Sequence, residues 1–589
     1  MSLFAKLERA LREEGVRASA EKAAAYIRRW QDERRSAKLD CYTKADFQRQ
    51  REAAFSPAHR ISIVVPLYNT PLTFLREMVA SVQGQTYGNW ELCLADGSDA
   101  AHGAVGEFCL AAAAKDDRIR YEKLAENGGI SANTNAAVAL STGAYIALLD
   151  HDDVLHPAAL YEVMRAITER GADFVYTDEN TFRNTPKDAY CPNYKPDFAP
   201  DTLRSYNYIC HLTVFRRALL DEVGAFRPEC DGSQDYDLIL RLTERAQKVV
   251  HVPRVLYYWR ASEQSTAADV SAKPYVLDAA RRALADHLER VGLKGEVLDG
   301  RIPSTYRIRY AIEGNPLISI LIPSCDHATT LKRCVDSILT KSTYRRFEII
   351  IIENNSTQLE TFDYYKTLEG APQVRVIRWE GSFNYSAINN FGARAAKGDY
   401  LLLLNNDIEV ITPAWMEELL MFAQRRDVGA VGAMLYYPSD KVQHAGIVLG
   451  IGGVAENAFK HADRGSFGYM SRLAIAQNMS AVTAACLLVS RTKYEAVGGL
   501  DEGFEVAFND VDFCLRLCKA GYRNVFTPCA ELYHYESESR GAENTPEKRK
   551  RFQGEIARFK SRWAAELAAG DPYYNPNLTL RATDFRPRK

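Results

Sequence analysis

A dense cluster of carboxylates follows a short apolar run near residue 150. The stretch DHDD supplies Asp150, Asp152 and Asp153 directly after the residues YIALL. Carboxylates this close together repel one another unless a cation neutralises them. Hard divalent cations such as Mg²⁺ or Mn²⁺ take oxygen ligands and often share them with a phosphate. The cluster therefore predicts a site for a metal and a diphosphate, with a solvated acidic turn or a helix cap as the alternative.

A second polar triplet repeats this layout later in the chain. Four leucines are followed at once by Asn405, Asn406 and Asp407. Asp407 aligns with Asp152, so one carboxylate is kept at the same place. This retention favours the metal-binding interpretation of both clusters over the solvated turn.

Two further aspartates are candidates for a general base. Asp235 and Asp510 each begin a segment whose apolar residues recur at helical spacing. A carboxylate at the start of such a helix, pointing back to a cleft, could deprotonate an attacking hydroxyl group. The alternative is that both aspartates only cap their helices. We expect the acids two residues on to pair with arginines at i+4 instead.

Three other polar residues follow buried strands or lie in the last repeated block. Asp96 and Glu353 could accept hydrogen bonds from a nucleotide base or a ribose hydroxyl, or could cap the loops that follow their strands. His534 could bind a metal or a phosphate, or act as a structural hydrogen-bonding group. Its expected counterpart in the first copy is Tyr258, which does not match it.

Five short sequence blocks occur twice in the same order, which predicts two copies of one domain. The pairs are ISIVVPLYN and ISILIPSCD, WELCLAD and FEIIIIE, GAYIALLD and GDYLLLLN, QDYDLILR and NDVDFCLR, and LYYW and LYHY. The second copy carries an insertion between the third and fourth blocks, and we assign the stretch QHAGIVLGIGG to it.

Helical patterns lie between the predicted strands, at 72–82, 131–140 and 331–339. Strands that alternate with helices predict an α/β fold with a parallel, doubly wound sheet in each copy. In such sheets ligands bind beyond the carboxyl ends of the strands. We therefore expect the candidate side chains to meet at that edge.

The predicted organisation has five parts. They are a helical N-terminal extension at 1–60, a first domain at 61–300, a linker at 301–316, a second domain at 317–541, and a C-terminal helix and tail at 542–589. Residues 1–60 hold 14 Lys and Arg against 9 Asp and Glu, and residues 548–551 read KRKR. We expect the turn-rich tail DPYYNPN at 571–577 to lie across a surface.

The composition of the 589 residues excludes several classes of protein. Lys and Arg number 74 and Asp and Glu 76, so the formal net charge is −2, which argues against a nucleic-acid partner. No apolar run approaches the ~18 residues of a membrane helix, and the charged start argues against a secretory signal. The 12 cysteines include no CxxC pair, so we expect reduced thiols in a cytoplasmic protein and no zinc site.

Taken together and in this order, the repeated blocks resemble those of family 2 glycosyltransferases of the GT-A fold. The resemblance covers about 61–270 and 317–540. It rests on the opening strand, the acid after the second strand, the Asp-x-Asp turn, the Asp before a helix and the closing aromatic block. The stretches FNYSAINN and QHAG and the tail further resemble bacterial enzymes, rhamnosyltransferase-like relatives among them, that build O-antigen, capsule or other surface polysaccharides.

The resemblance implies a nucleotide-sugar donor linked to UDP, dTDP or GDP, a divalent metal (Mn²⁺ or Mg²⁺), and inversion at the anomeric carbon by direct displacement. In copy one it implies nucleotide contacts from Pro66, Tyr68, Asn69 and Asp96, diphosphate and metal contacts from Asp150, Asp152 and Asp153, and Asp235 as the base. In copy two it implies donor contacts from Pro323, Cys325, Asp326, Glu353 and Asn405, metal contacts from Asp407 and His534, and Asp510 as the base.

The chain departs from the family pattern at three places. The usual Glu-Asp pair is Gln234-Asp in copy one and Asn509-Asp in copy two, although the aspartate survives in both. Tyr258 stands where a histidine is expected, which puts the metal geometry of copy one in doubt. Asn405 weakens the acidic cluster of copy two.

The main hypothesis is a bifunctional glycosyltransferase that extends a lipid-linked glycan at the inner face of the membrane. One alternative is a processive polymerase that alternates two sugars. Another is a scaffold in which one or both copies bind sugar or nucleotide without turnover. The retained Asp235 and Asp510 argue against complete loss of turnover. The basic terminal segments suit peripheral contact with anionic lipid, with packing across the two domains as the alternative.

Overall fold

The computed structural model describes residues 41–261, 274–536 and 545–588. Of the predicted N-terminal extension, residues 1–40 therefore lie outside the described residues. The helix Lys44–Glu52 follows them, and it begins after Thr43 in a capping box with Asp46. The side chain of Thr43 accepts from the Asp46 N–H, so one of the unpaired amides of the first turn is satisfied.

The first domain is built on a mixed sheet with an apolar core on each face. Its strands are β1 (Ile61–Leu67), β2 (Trp90–Asp96), β3 (Ile119–Lys123), β4 (Tyr145–Leu148), β5 (Val154–Leu155), β6 (Phe174–Phe182), β7 (Cys191–Asn193), β8 (Thr213–Arg216) and β9 (Val249–Arg260). They lie in the order β3-β2-β1-β4-β8-β6-β9-β5, with β7 against β6. The strands β3, β2, β1 and β4 are parallel, as the alternation of strands and helices predicted.

The strand β8 is an exception to the parallel arrangement. It runs antiparallel to both of its neighbours, β4 and β6. The segment 183–212 leads to β8 without crossing back over the sheet. Its last residues stay at the carboxyl edge, where they line a cavity. A strand that starts from that edge must run in the reverse direction.

The second domain repeats this sheet. Its strands are β12 (Ile318–Ser324), β13 (Phe347–Glu353), β14 (Val374–Arg378), β15 (Tyr400–Leu404), β16 (Ile408–Val410), β17 (Val428–Tyr436), β18 (Val442–His444), β19 (Ile447–Leu449), β20 (Ala455–Asn457), β21 (Gln477–Met479), β22 (Cys486–Ser490) and β23 (Arg523–His534). The order β14-β13-β12-β15-β22-β17-β23-β16 matches the first sheet strand for strand. The strands β18, β19 and β20 belong to the insertion that the sequence predicted. There β18 pairs with β17, and β19 pairs with β20.

The helices follow the predicted pattern. In the first half they are Leu72–Gln83, Gly103–Ala113, Ile130–Leu140, Ala159–Arg170, Pro200–Ser205, Arg217–Val223, Gln234–Arg245 and Pro274–Arg290. In the second half they are Ala328–Lys341, Leu359–Leu368, Tyr385–Ala395, Trp415–Ala423, Arg491–Ala496, Asn509–Lys519, Pro546–Arg562 and Ala564–Ala569. Within the described ranges, none of them combines the length and apolar character that crossing a membrane requires.

An antiparallel hairpin connects the two sheets. It consists of β10 (Gly295–Asp299) and β11 (Tyr306–Tyr310), which pair along their whole length. The predicted linker thus contains the second strand of this hairpin, and the hairpin crosses the predicted boundary at residue 300. The domain boundaries remain predictions.

In each sheet, a glycine just before the fourth strand lies in close contact with the start of the first strand. A Cβ on Gly143 would lie 2.6 Å from both Arg60 O and Ser62 Oγ. In the second domain, a Cβ on Gly398 would lie 2.6 Å from Leu317 O. Glycine is required at both places because the chain passes against the first strand.

A buried ion pair joins the two domains. Asp201 of the helix Pro200–Ser205 contacts Arg425, which follows the helix Trp415–Ala423 of the second domain. Asn478 Nδ2 donates to the Asp201 carboxylate at 2.8 Å, and Asn478 Oδ1 accepts from the Asp201 N–H at 2.9 Å. Burial alone would raise the pKa of Asp201, but Arg425 and Arg204 hold it well below its usual range. The carboxylate is therefore charged and fully engaged across the interface.

The C-terminal tail lies between the domains rather than across an exposed surface. We call residues 571–579 the strap. Asp571 accepts from the Leu449 N–H of the second domain at 2.7 Å. Asn575 Nδ2 donates to Asp178 Oδ2 of the first domain at 2.9 Å. Both strap residues are buried. The tail therefore lies across the surfaces of both domains, and its amide and carboxylate have partners on each.

We expect Arg425→Met to destabilise the protein by about 3 kcal/mol. The change leaves the Asp201 carboxylate buried without its main partner, and breaking such a pair costs ~3–5 kcal/mol. The lower end applies because Arg204 still contacts Asp201. Urea unfolding followed by tryptophan fluorescence measures the effect, with Arg426→Met at the neighbouring exposed position as the control. Equal unfolding midpoints for the two variants would contradict the interface assignment.

Candidate functional site

A cavity of about 1250 Å³ lies at the carboxyl edge of the first sheet. It forms where β1 and β4 end, at the point where the strand order changes direction. The residues predicted from sequence that line it are Pro66, Tyr68, Asn69, Asp150, Asp152 and Asp235. Side chains from separate sequence blocks thus surround one cavity.

The base candidate of the first domain faces this cavity from a helix start. Asp235 lies in the first turn of the helix Gln234–Arg245, whose N-cap residue is Ser233. Asn207 Nδ2 donates to Asp235 Oδ2 at 2.9 Å. Burial raises the pKa of Asp235 above its ordinary value, against the lowering effect of His211. Ser233 makes no side-chain cap hydrogen bond, and the Asp235 carboxylate accepts from the Tyr236 N–H, so the capping alternative stays open beside the base role.

The acid two residues beyond the base candidate has a different role. Arg241 Nη2 donates to Asp237 Oδ2 at 2.7 Å, which is the predicted i+4 pair. Asp237 is fully buried, and it also contacts Arg227. This aspartate therefore holds the helix in place and does not face the cavity.

A histidine that the sequence did not single out also lines the cavity. His211 Nε2 lies 3.4 Å from Asp150 Oδ2, and its ring stacks on Tyr257 with 4.7 Å between centroids. Burial would lower the pKa of His211, but Asp150 outweighs it and raises the pKa to about 9. His211 precedes β8 in an irregular segment, so no periodic pattern or motif marked it.

The three aspartates predicted as one cluster separate in the structure. Asp150 and Asp152 line the cavity. Asp153 is fully buried, and it accepts from the Tyr257 hydroxyl at 2.5 Å and from the Arg260 N–H at 2.7 Å. Burial raises the pKa of Asp153 well above its usual value. The structure therefore gives no support to Asp153 as a metal ligand, because both of its oxygens have partners in the protein.

The strand register identifies the first-domain counterpart of His534. The residue two positions after the matched acid lies in β5 of the first domain and in β16 of the second. It pairs with Tyr258 in the first domain and with Tyr533 in the second. One position further along, Trp259 stands where His534 stands, and it lines the cavity. The expected counterpart, Tyr258, is thus wrong by one residue. An indole offers no ring lone pair to a metal.

The acids after the second strands turn into their own loops. Asp96 accepts from the Ser98 N–H at 2.8 Å and from the Tyr121 hydroxyl at 2.9 Å. Glu353 accepts from the Ser356 N–H at 2.7 Å and from the Tyr365 hydroxyl at 3.0 Å. Both are buried. The loop-capping alternative explains these contacts, and the nucleotide-binding role of the two acids stays a prediction.

The residues after the first strands occupy matching positions. Asn69 Nδ2 donates to Asp99 Oδ2 at 2.9 Å, and Asp326 Oδ1 accepts from the Thr357 N–H at 2.8 Å. Both therefore fasten the first loop of the sheet to the second, and both adopt a positive φ. The residues just before them, Tyr68 and Cys325, are exposed, and Pro323 lies within β12.

A pair of electron donors meets at the end of β15 in the second domain. Asp407 Oδ1 lies 3.1 Å from His534 Nε2. His534 Nδ1 lies 2.6 Å from Gln443 Oε1, so Nδ1 carries the ring proton, because an amide oxygen only accepts. His534 Nε2 then presents a lone pair, which accepts from Asn405 Nδ2 at 3.2 Å. Among the described residues Asp407 Oδ1 has no hydrogen-bond donor, although it lies beside this ring nitrogen.

The base candidate of the second domain is held by backbone amides. Asp510 lies in the first turn of the helix Asn509–Lys519 and accepts from Ala484 N at 3.1 Å and Val511 N at 2.8 Å. Tyr385 donates its hydroxyl to Ala484 O at 3.0 Å. Burial raises the pKa of Asp510 above its ordinary value. Its place in the first turn and its raised pKa match those of Asp235, which is held instead by the Asn207 side chain.

The two domains differ in their fit to a divalent cation. Across residues 41–261, 274–536 and 545–588, no three or more His, Cys, Asp and Glu side chains form a group that could hold a metal. In the second domain, Asp407 and His534 with the Asn405 amide suit a cation that takes its remaining ligands from a diphosphate. The first-domain set does not fit in the predicted form, because Asp153 is engaged and Trp259 replaces the imidazole.

Two α/β domains with polar groups gathered at the carboxyl edges of their sheets are the architecture expected of nucleotide-dependent enzymes. The sequence model of the family described as glycosyl transferase family 2 matches residues 62–224 and 319–497. The chain therefore belongs to glycosyl transferase family 2. One match falls on each sheet, which confirms the expected pair of tandem GT-A domains and the glycosyltransferase class.

Curated relatives match nearly all of the chain. An uncharacterized protein of Sinorhizobium fredii is 48% identical over 533 residues, which cover 89% of this chain and 58% of that protein. The O-antigen biosynthesis protein RfbC of Myxococcus xanthus is 38% identical over 535 residues, which cover 90% of this chain and 41% of that protein. The chain thus spans about half the length of these curated relatives.

A solved structure also matches at a low level. The mannosyltransferase PcManGT of Pyrobaculum calidifontis, in complex with GDP-Man and Mn²⁺, is 15% identical with a TM-score of 0.33. The match covers 45% of this chain and 68% of that one. A likeness of this size assigns no ligand to this chain.

We expect Gln443→Leu to weaken Mn²⁺ binding by the second domain ~10–100-fold, the usual effect of losing the group that orients a metal-binding histidine. Without Gln443, nothing fixes the proton of His534 on Nδ1. Isothermal titration calorimetry with a nucleoside diphosphate present measures the affinity, in an Asp152→Asn background that removes a first-domain contribution. His461→Ala, at an exposed position of the same domain, is the control. Unchanged affinity in Gln443→Leu would argue against this pair as the site.

Proposed function

We propose that the chain is a bifunctional, inverting glycosyltransferase whose two domains each add a sugar from a nucleotide-sugar donor to a growing surface glycan. Membership of glycosyl transferase family 2 supports glycosyl transfer. The similarity to an O-antigen biosynthesis protein supports a surface polysaccharide as the product. Donor, acceptor and product are all part of the proposal, because the chain spans only 41% of that relative.

One observation carries the proposal of two active domains. Each domain has a carboxylate, Asp235 or Asp510, in the first turn of the matching helix and at the same edge of its sheet. Burial raises the pKa of both. A raised pKa makes a carboxylate a better proton acceptor, and this suits a general base. A domain that only binds sugar has no need of such a group.

In the second domain, Asp510 accepts the proton of an acceptor hydroxyl as its oxygen attacks the anomeric carbon of the donor. The bond between that carbon and the diphosphate oxygen breaks on the opposite face, so the configuration inverts. The amides of Ala484 and Val511 hold the Asp510 carboxylate in place during this step. When bound, a divalent cation held by Asp407 and His534 would neutralise charge on the departing diphosphate.

In the first domain, Asp235 takes the corresponding proton. Asn207 holds its carboxylate from the side, and the cavity leaves room for donor and acceptor together. His211 pairs with Asp150 and so fixes the carboxylate that faces the donor diphosphate. No step through a metal is assigned in this domain, because Trp259 occupies the position of the second-domain imidazole.

Two alternatives predict different products. A processive polymerase would alternate two sugars along one chain, whereas a scaffold would leave one domain without turnover. A screen of UDP-, dTDP- and GDP-linked sugars with the purified protein identifies the donors. Product length then separates a polymerase from an enzyme that adds single sugars.

We expect Asp235→Asn and Asp510→Asn each to abolish one sugar addition. Loss of a general base costs ~10²–10⁴ in rate, while donor binding should stay nearly intact because the carboxamide keeps the shape of the side chain. Product analysis by mass spectrometry identifies the missing sugar for each variant. Asp221→Asn, on an exposed helix of the first domain, is the control. Full activity for both additions in either variant would overturn that base assignment.

We also propose that the protein acts at an anionic membrane surface on a lipid-linked acceptor. The helix Pro546–Arg562 carries the run KRKR at 548–551, and Arg549 and Lys550 are exposed. Basic residues gain about 1 kcal/mol each near anionic headgroups, and salt screens this gain. The predicted contribution of residues 1–40 lies outside the described residues.

We expect flotation with anionic liposomes at low salt, and no flotation with neutral ones. The double variant Arg549→Gln, Lys550→Gln should lower the liposome partition coefficient roughly thirtyfold, at about 1 kcal/mol per charge. Arg345→Gln with Arg346→Gln removes an adjacent exposed pair from the second domain and serves as the control. Protein that stays unbound to anionic liposomes, or equal loss in both double variants, would exclude docking through this helix.

A further inference from the structure

A continuous set of buried polar contacts leads from the strap to the first-domain cavity. Asn575 Nδ2 donates to Asp178 Oδ2 at 2.9 Å and to Lys195 O at 2.9 Å. The Lys195 N–H in turn donates to Asp178 Oδ1 at 2.9 Å. All three residues are at least 98% buried, so water does not compete for these hydrogen bonds.

The side chain of Lys195 fixes the segment that carries His211. Its ammonium group donates to Glu179 Oε2 at 3.0 Å, to Ile209 O at 2.6 Å and to His211 O at 2.5 Å. An ammonium group has three N–H donors, and here each has one acceptor, so its geometry is fully determined. Glu179 Oε2 also accepts from the His211 N–H at 3.2 Å. Both backbone groups of His211 are therefore held by one ion pair.

Lys195 contacts two consecutive acids of β6. Asp178 and Glu179 are consecutive, and consecutive side chains of a regular strand point to opposite faces. The pairing of β6 with β9 shifts register on each side of Asp178. The extra residues at both shifts lie on β9, and Lys195 meets Asp178 with its backbone N–H and Glu179 with its ammonium group.

The last contact of the set lies in the cavity wall. His211 Nε2 is 3.4 Å from Asp150 Oδ2, and Asp150 lines the cavity. Contacts thus join Asn575 to Lys195, Lys195 to His211, and His211 to Asp150. Asp178 has one further partner, His251, whose Nε2 lies 2.9 Å from Asp178 Oδ1. The strap follows the second sheet in sequence, yet it supports the site of the first.

We propose that Asn575, acting through Lys195, is a positioning residue for sugar transfer by the first domain. Transfer by this domain then requires the strap, although its base and its donor-facing acid both precede residue 261. The inference rests on the proposed function of the first domain. Nothing in this network contacts Asp407, His534 or Asp510, so the second domain does not depend on it in the same way.

The strap supplies a matched control for this proposal. Asn577 Nδ2 donates to Pro253 O of the first domain at 3.0 Å, and Asn577 is also buried. Like Asn575, it joins the strap to the first domain by its amide. Its partner lies in β9 and does not contact Lys195 or His211. A role in joining the domains alone predicts the same effect for Asn575→Ala and Asn577→Ala.

The activity test uses the full chain. We expect Asn575→Ala to lower kcat/KM for the Asp235-dependent addition ~10–100-fold, the usual effect of a small displacement near reacting groups. The Asp510-dependent addition should change less than twofold, and Asn577→Ala should change neither addition by more than about twofold. An unchanged Asp235-dependent addition in Asn575→Ala, or equal losses in the two variants, would overturn the proposal.

A spectroscopic test separates this inference from the proposed function. Histidine-labelled protein gives the ring nitrogen and carbon signals of His211, assigned with His211→Gln. We expect these signals to shift in Asn575→Ala and to stay unchanged in Asn577→Ala at equal thermal stability. Absence of Asp235-dependent transfer in the wild type would refute the proposed function, and the His211 signals would then decide the positioning role. An unmoved His211 signal in Asn575→Ala would refute that role.

Discussion

The arrangement of the two domains depends on a buried charge, the carboxylate of Asp201. Charges removed from water are costly unless well-placed partners surround them, and Arg425 and Asn478 of the second domain supply those partners. Rotation of one sheet against the other would move these partners away and leave the carboxylate buried without them. The network therefore permits one orientation of the domains. In that orientation Asn575 reaches Asp178, so the strap contacts that support His211 follow from the same constraint.

One topology produces two chemically different sites because single positions at the strand ends have diverged. Trp259 stands where His534 stands, and His211 of the first domain corresponds to Ala485 by the pairing of β8 and β22. Each domain thus brings one imidazole to its acidic turn, but from a different strand. In the second domain the imidazole nitrogen lies 3.1 Å from Asp407 and accepts from Asn405, and in the first domain the imidazole pairs with Asp150. The backbone places the groups, and side-chain identity decides which strand supplies the imidazole that meets the acid.

The sequence predicted the parts of the fold that repeat locally and missed those that depend on contacts between distant segments. The helix Leu72–Gln83 and the positions of Asp235 and Asp510 follow from periodicity and from the repeat. His211 carries no local signal, because only the reversed direction of β8 brings it to the cavity. Tyr258 was matched to His534 because the pairing of β9 shifts register at bulges, and motif comparison does not detect such shifts.

The order of the chain has a consequence for assembly of the first site. The strands of the first sheet end at Arg260, so this sheet can pair its strands before the second domain is complete. The Lys195 ammonium can then meet Glu179, and His251 can meet Asp178, but Asp178 still lacks the Asn575 amide. A partly satisfied buried network is less rigid than a complete one. On the inference that Asn575 positions Lys195, the site formed from the earlier residues gains its last support from a segment that follows the second sheet.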